Sequence, residues 1–342
     1  MTEKVKNKNL QEAKTNRKDE FYTQLADIER ELKHYKTHFK NKVVYCNCDD
    51  PRVSNFFHFF SYNFEKLELN KLIATCYKNQ NLDLFSQNDS EQAIYLEYVG
   101  DKNNNNVPDS NEIGIKKLKG NGDFRSKECI ELLKQADIVV TNPPFSLFRE
   151  YVSQLIEYDK KFVIIGNQNA ISYKDFFKLI QENKIWFGYN SVKRFTMPES
   201  YKHNSVKVEN GIKYAIFGNI CWYTNLDIAK RHEDLILYKT FKGNENDYPS
   251  YVNYEAIEVG KVKDIPIDYE GEMGVPITFL DKYNPDQFEI IGSSMTLGTP
   301  MSEIAKKGSY MAGGPRFYLD NGNGTYQRLY DRIVIKNKRL IK

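Results

Sequence analysis

Along the first half of the chain, short apolar runs alternate with stretches whose apolar positions recur every three or four residues. Residues 42–46 read as a buried strand, and beyond it Phe56, Phe57, Phe59, Phe60 and Phe64 fall on one broad helical face, with Asp50 able to cap that helix and Pro51 suited to its first turn. Residues 72–76 and 93–99 are the next strand candidates, and 113–118 can pair back on the latter as a hairpin. A helix over 126–135 leads into a strand at 137–141, which halts at Asn142-Pro143-Pro144-Phe145 because two prolines in series cannot continue a central strand. A helix over 146–158, a strand over 161–166 and a helix over 172–183 follow. Repeats of this kind predict an α/β fold, Rossmann-like, with a mostly parallel sheet covered by helices on both faces.

Past about Trp186 the alternation fades. Segments 192–196, 213–217, 220–224 and 235–238 read as strands separated by polar loops, and residues 240–342 are rich in Gly, Pro, Asn and Tyr, with short apolar runs at 275–280 and 288–291. The expected organisation is a domain at 15–190 followed by a partly β, loop-rich region at 191–342.

Composition narrows the class. No apolar run in the 342 residues approaches the roughly 18 that a membrane helix needs, and the lysine-rich first 18 residues lack the apolar segment of a secretory signal, so a cytoplasmic protein is expected. Five cysteines without CxxC spacing read as reduced and mostly packed; Cys46-x-Cys48 has no second His/Cys cluster at zinc spacing. The calcium-like spacing at Asp101, Asn103, Asn105, Asp109 and Glu112 has Asn106 where the turn glycine belongs, and His34 with His38 lack a third ligand, so no metal is expected. Net charge is only +3, but residues 1–42 hold eleven Lys/Arg against seven Asp/Glu, and residues 331–342 hold five against one. Basic ends on a near-neutral body suit either selected phosphate contacts or ordinary solvated termini.

In open parallel sheets ligands bind outside the carboxyl ends of the strands, where Asn142-Pro143-Pro144-Phe145 stands. That tetrad resembles the catalytic motif of S-adenosylmethionine-dependent amino-methyltransferases, including the N6-adenine DNA enzymes. The resemblance makes the residue types intelligible. An exocyclic amino nitrogen is a poor nucleophile because its lone pair is delocalised into the ring. The Asn142 side-chain oxygen and the Pro143 carbonyl, each accepting one N–H, would draw the nitrogen toward a tetrahedral shape. Pro143 and Pro144 hold the backbone in place, and Phe145 would stack on a base turned out of the duplex.

Three upstream segments resemble the cofactor half of such enzymes. Asp19, Phe21, Tyr22 and Thr23 are similar to the motif that contributes to the methionine end of the pocket. Cys46, Asn47, Asp49 and Asp50 occupy the first-strand loop, here without the usual glycine. Asp123 and Phe124 resemble the pair that receives the cofactor's adenine. The acidic ribose ligand expected after the second strand is replaced by Thr75-Cys76-Tyr77.

The order of these elements, the Cys-Asn-Cys-Asp-Asp-Pro loop, Ser54-Asn55-Phe56-Phe57, and Gly274 to Leu280 running on through Gly292 are similar to the EcoRI-type adenine-specific methyltransferase family over nearly the whole chain. The resemblance implies N6-methylation of adenine in duplex DNA at a short site, with GAATTC as first guess, in a restriction-modification context with a companion endonuclease. Target recognition is expected in the C-terminal region, with Lys193, Arg194, Lys202, His203 and Asn204 as a basic, amide-bearing cluster for phosphates and base edges. The tetrad itself reads an amino group in a planar system. From the residues alone, an RNA adenine or protein glutamine methyltransferase, or an inactive nucleic-acid-binding relative, stays open.

Overall fold

The sheet begins as a run of buried β-branched and aromatic residues. In the computed structural model, which describes residues 22–48, 54–75, 93–105, 107–109, 111–196, 206–209 and 211–340, Val43–Asn47 forms the strand β2 after a two-residue β1 at Tyr22–Thr23. The strands that follow are β3 (Lys71–Thr75), β4 (Ile94–Tyr98), β5 (Gly114–Lys117), β6 (Ile138–Thr141), β7 (Lys161–Asn167), β8 (Trp186–Thr196), β9 (Val206–Glu209) and β10 (Ile212–Thr224). They make one sheet in the order β1-β8-β10-β7-β6-β2-β3-β4-β5, with β9 added on β10.

Only the centre of this sheet is parallel. Strands β3, β2, β6 and β7 run in one direction, whereas β4 pairs antiparallel with β3, β5 with β4, and β10 with β7 and β9. The expectation of a mostly parallel sheet is corrected to a mixed sheet with a parallel centre. The reason is connectivity: β9 and β10 are joined without a helix, as are β4 and β5, and a chain that lacks a crossover returns antiparallel. The 113–118 segment does pair back on β4 as a hairpin partner.

Helices Asn55–Tyr62, Lys127–Gln135 and Phe148–Glu157 lie between the parallel strands in the sequence. The first is capped by Ser54, whose side chain accepts from Phe56 N at 3.2 Å, one turn later than the Asp50 cap that the sequence suggests; Asp50 and Pro51 lie outside the described residues. Its Phe56 and Phe60 are completely or almost completely buried, each contributing about 2–3 kcal/mol of transfer free energy. Helix Leu25–Leu32 supplies a different tie. The fully buried Glu31 carboxylate accepts from Tyr35 Oη and from the backbone N–H groups of Tyr189 and Asn190, each at 2.8 Å. Gly188 must be glycine there, since a Cβ would collide with Glu31 Oε1. Glu31 thus pins β8 to the helix that directly follows β1.

The chain divides into one unit of residues 1–170 and 187–226 and a second of 171–186 and 227–342. The boundary expected at 190 falls inside β8, which belongs to the large sheet because its apolar residues Val192 and Phe195 are wholly buried there. The second unit carries β11 (Ile257–Glu258), β12 (Met273–Pro276), β13 (Phe288–Ser293) and β16 (Arg332–Asn337) in the order β11-β12-β16-β13, and a separate pair, β14 (Tyr318–Asp320) and β15 (Tyr326–Arg328). Tyr251, Phe317 and Val334 form its aromatic core. Among the described residues no helix is long and apolar enough to cross a membrane.

Candidate functional site

From β2 the chain moves to β3 on one side, while β6 lies on the other, so the carboxyl ends of β2 and β6 flank the point where strand order reverses. A crevice opens at such a point in open α/β sheets. The register Val44↔Ile138 and Tyr45↔Val139 makes the two strands end level, at Asn47 and Thr141, and the Thr141 hydroxyl donates to the Asn47 carbonyl.

The two strands lead into different structures. After β6, Asn142 is 6% exposed, Pro143 and Pro144 are buried, and Phe145 is half-buried. The Pro144 carbonyl accepts from Leu147 N at 2.9 Å, closing a 3-10 turn that leads into helix Phe148–Glu157. The backbone of the tetrad is therefore fixed from both sides, by a strand before it and a turn after it. The ring of Phe145 meets Phe195 of β8 and Phe217 of β10 edge-on, with centroids 6.1 and 6.4 Å away.

After β2, Cys48 adopts φ = 90°. A positive φ there is the conformation for which glycine is normally chosen. The glycine-free loop thus keeps the backbone path of a glycine loop at one residue, with a half-buried thiol in place of a hydrogen. Asn47 is oriented by Tyr151, whose hydroxyl donates to its Oδ1. Burial, together with the neighbouring Cys48 and Tyr45, raises the Tyr151 pKa well above that of a free tyrosine, so the hydroxyl remains a donor throughout the neutral range. Cys46 is buried at the end of β2.

The first cofactor segment reaches this place through β1. Thr23 pairs with Phe195, the same ring that meets Phe145, and the Thr23 carbonyl accepts from Asn55 Nδ2 at 2.7 Å, at the head of the helix that follows β2. Thr23 is 1% exposed, and its Oγ1 has no hydrogen-bond partner among the described residues. A buried hydroxyl in that state costs roughly 1–3 kcal/mol, which a polar ligand would recover. Tyr22 lies beside it, against Thr196. Asp19, Phe21, Asp49 and Asp50 lie outside the described residues.

Asp123 and Phe124 precede helix Lys127–Gln135. The Asp123 carboxylate accepts from Arg125 N and Nε, both at 2.9 Å, and from a second guanidinium nitrogen at 2.8 Å. These bonds raise the Arg125 pKa, and Arg125 also reaches Glu150 at 3.0 Å. Phe124 is buried, its ring packing edge-on to Tyr151 at 5.0 Å, the tyrosine that orients Asn47. The segment is thus tied to the end of β2 through one aromatic contact, and its carboxylate is preoriented by an internal arginine.

Of the basic cluster, Lys193 and Arg194 lie between the buried Val192 and Phe195 of β8 and are exposed; Arg194 pairs with Glu209 at 2.6 Å and lies 4.3 Å over the Tyr214 ring. Lys202, His203 and Asn204 lie outside the described residues. Three residues beside the candidate site were not singled out in the sequence, Phe195, Phe217 and Asn167, and Asn55 was named only within Ser54-Asn55-Phe56-Phe57. Asn167 ends β7 beside the tetrad's strand, and its Oδ1 accepts from Asn219 Nδ2 at 2.9 Å and Asn169 N at 2.8 Å. The usable signal was the strand alternation at 192–196 and 213–217, which marks Phe195 and Phe217 but says nothing about which strand each joins.

Comparison with known proteins shows the family. A family model described as adenine-specific methyltransferase EcoRI matches residues 9–338. The chain is 48% identical to the Type II methyltransferase M.EcoRI of Escherichia coli, with 100% of both chains covered. It is 39% identical to the Type II methyltransferase M.MgeORF184P of Mycoplasma genitalium, over 96% of this chain and 98% of that one. Identity to the Type II methyltransferase M.MpnI of Mycoplasma pneumoniae is 38%, over 96% and 97% respectively. No solved structure matches.

Proposed function

The chain belongs to the EcoRI family of adenine-specific methyltransferases and is a type II DNA adenine methyltransferase; on that premise we propose that the level ends of β2 and β6 are its active site. The observation that carries this reading is that the Asn142–Phe145 tetrad and the Asn47-Cys48 turn end level at one strand reversal, with Thr23, whose buried hydroxyl has no partner among the described residues, tied to Asn55 at the head of the helix after β2.

S-adenosylmethionine fits the donor set and supplies, when bound, a methyl group on an electrophilic sulfonium. Thr23 Oγ1, the backbone at Asn47 and Cys48, and Asp123 with Phe124 would hold it; Asp19, Phe21, Tyr22, Cys46, Asp49 and Asp50 complete the proposed set. The rest of the chemistry belongs to the tetrad. The Asn142 side-chain oxygen and the Pro143 carbonyl accept the two N–H bonds of the adenine amino group and free its lone pair. A buried site strengthens both bonds, because water does not compete for the acceptors. Pro144 continues the fixed backbone into the turn at Phe145. The Phe145 ring stacks on the extruded base, worth about 1–3 kcal/mol, which offsets part of the unstacking cost. For the base to enter, the edge contacts of Phe145 with Phe195 and Phe217 must open. Lys193 and Arg194, on the strand that carries Phe195, contact DNA phosphates near the extruded base, and Lys202, His203 and Asn204 are proposed with them. Recognition of the target draws on residues 191–342, and the target proposed is GAATTC, shared with a companion endonuclease.

The test is transfer of tritiated methyl to plasmid DNA containing or lacking GAATTC, with nucleoside digestion to locate the label. Label in N6-methyladenine only for the GAATTC plasmid is expected. Label on both plasmids rejects the target sequence, and label on RNA or protein alone rejects the DNA reading.

A further inference from the structure

The second unit holds a cationic face that the tetrad chemistry does not use. Residues 302–330 carry four cations, Lys306, Lys307, Arg316 and Arg328, against two carboxylates, Glu303 and Asp320. Arg316 is committed to Asp331 at 2.6 Å, and the nearby Arg332 to Glu258 at 2.7 Å. Lys306, Lys307 and Arg328 are exposed and form no ion pair among the described residues.

The backbone gathers these three together. Lys306 and Lys307 sit on a turn closed by Ser309 N and Ser309 Oγ on the Lys306 carbonyl, at 3.1 and 2.7 Å, with Gly308 supplying φ = 102°. The Ser309 carbonyl accepts from Tyr326 N at 2.8 Å, which docks that turn on β15. The β14–β15 register sets Arg328 opposite Tyr318, whose hydroxyl holds the Met311 carbonyl at 2.7 Å. Met311 is 78% exposed and Tyr330 is 89% exposed. Two large side chains that lie mostly in water, in the same segment of chain as uncommitted cations, suit an interaction surface. Cations alone suit any polyanion. A flat aromatic ring and a thioether beside them suit one whose charges flank apolar sugar and base surfaces.

We infer that Lys306, Lys307 and Arg328, with Met311 and Tyr330, form a second DNA-contacting surface, the cations on phosphates and the apolar pair on sugar or base faces. The inference rests on duplex DNA being the substrate. Each phosphate neutralised releases condensed counterions, so it adds about 0.9 to the slope of log K against log salt.

The experiment measures duplex affinity of the full-length protein by fluorescence anisotropy over a salt series, with S-adenosylmethionine affinity measured by calorimetry on the same samples. For Lys306→Ala/Lys307→Ala/Arg328→Ala, the salt slope should fall by roughly 2 to 3 with cofactor affinity unchanged. Lys306→Arg/Lys307→Arg should keep the original slope. Tyr330→Ala should weaken binding about tenfold and leave the slope alone. Wild-type protein that binds duplex while the triple variant keeps its slope overturns the surface and leaves the proposed function standing. Wild-type protein that binds no duplex overturns both. A triple variant that keeps its duplex slope but loses binding to vesicles of anionic lipid assigns the face to membranes and overturns the inference.

Discussion

Two neighbouring strands, β2 and β6, run parallel and end level, yet their ends are built on opposite principles. The end of β6 is rigid by covalent structure: two prolines fix φ, a 3-10 turn closes behind them, and Asn142 is buried. The end of β2 is held by its surroundings instead. Cys48 accepts a φ of 90° that its side chain disfavours, Asn47 is steered by Tyr151, and Thr23, tied to the helix that follows β2, buries a hydroxyl with no partner among the described residues. On the proposed function, the difference is a division of labour. An end that polarises a bond needs acceptors that do not move, whereas an end that receives a charged, polar ligand can carry local strain and an unmet hydrogen bond, since binding recovers both.

The largest effect expected from this contrast is at the rigid end. Asn142→Ala should cut the turnover number by about 10²–10³, the range seen when one preorganised hydrogen-bonding group is removed, with cofactor affinity kept within a factor of two or so. Steady-state methyl transfer with parallel calorimetry checks this. Phe145→Ala should come next, with roughly 10- to 100-fold weaker transfer on paired duplex, read from kcat/KM. At the proposed receiving end, Thr23→Val should weaken S-adenosylmethionine binding about tenfold while unfolding free energy stays level or rises by up to about 1 kcal/mol, because the hydroxyl it removes has no partner among the described residues. Calorimetry and urea unfolding on one preparation would show the opposite signs; a stability loss would place a partner on Thr23 instead.

A smaller gain is expected for Cys48→Gly. Relief of the disfavoured φ, less the added chain entropy of glycine, should raise unfolding free energy by about 0.5–1 kcal/mol, measurable as a shifted urea midpoint. The smallest effect lies far from both ends, at the β4–β5 hairpin. Glu97 is pushed up by partial burial, but its bonds with Lys116 and Lys71 outweigh that and lower its pKa. A lowered folded pKa stabilises above the unfolded carboxylate value, and that stability is lost as pH falls through the folded one. Glu97→Gln should therefore lower stability slightly near neutrality, where the pairing is fully present, and approach wild type as pH falls through the carboxylate range, which flattens the acid limb.

How much of this was legible beforehand varied by element. The β2, β6 and β7 runs were readable because central strands are continuously apolar, and the tetrad because its prolines interrupt such a run. The positive φ of Cys48 was not readable, since no glycine marks it. Phe195 and Phe217 were recognisable as strand residues, but their convergence on Phe145 depends on β8 and β10 joining the first sheet across more than 40 residues of sequence separation. That long-range pairing leaves no periodic trace in the sequence. The boundary near residue 190 failed for the same reason: fading helix–strand alternation marks a change of connectivity, not the edge of a core.

The most direct test of the acceptor role is a single-turnover rapid-quench measurement on enzyme preloaded with labelled S-adenosylmethionine, using duplexes whose target adenine is either paired or mismatched. A mismatch lowers the cost of extruding the base. Phe145→Ala should regain most of its rate on the mismatched duplex, while Asn142→Ala should stay slow on both. An Asn142→Ala enzyme that matched wild type on the mismatched duplex would contradict the claim that this end of β6 activates the amino group.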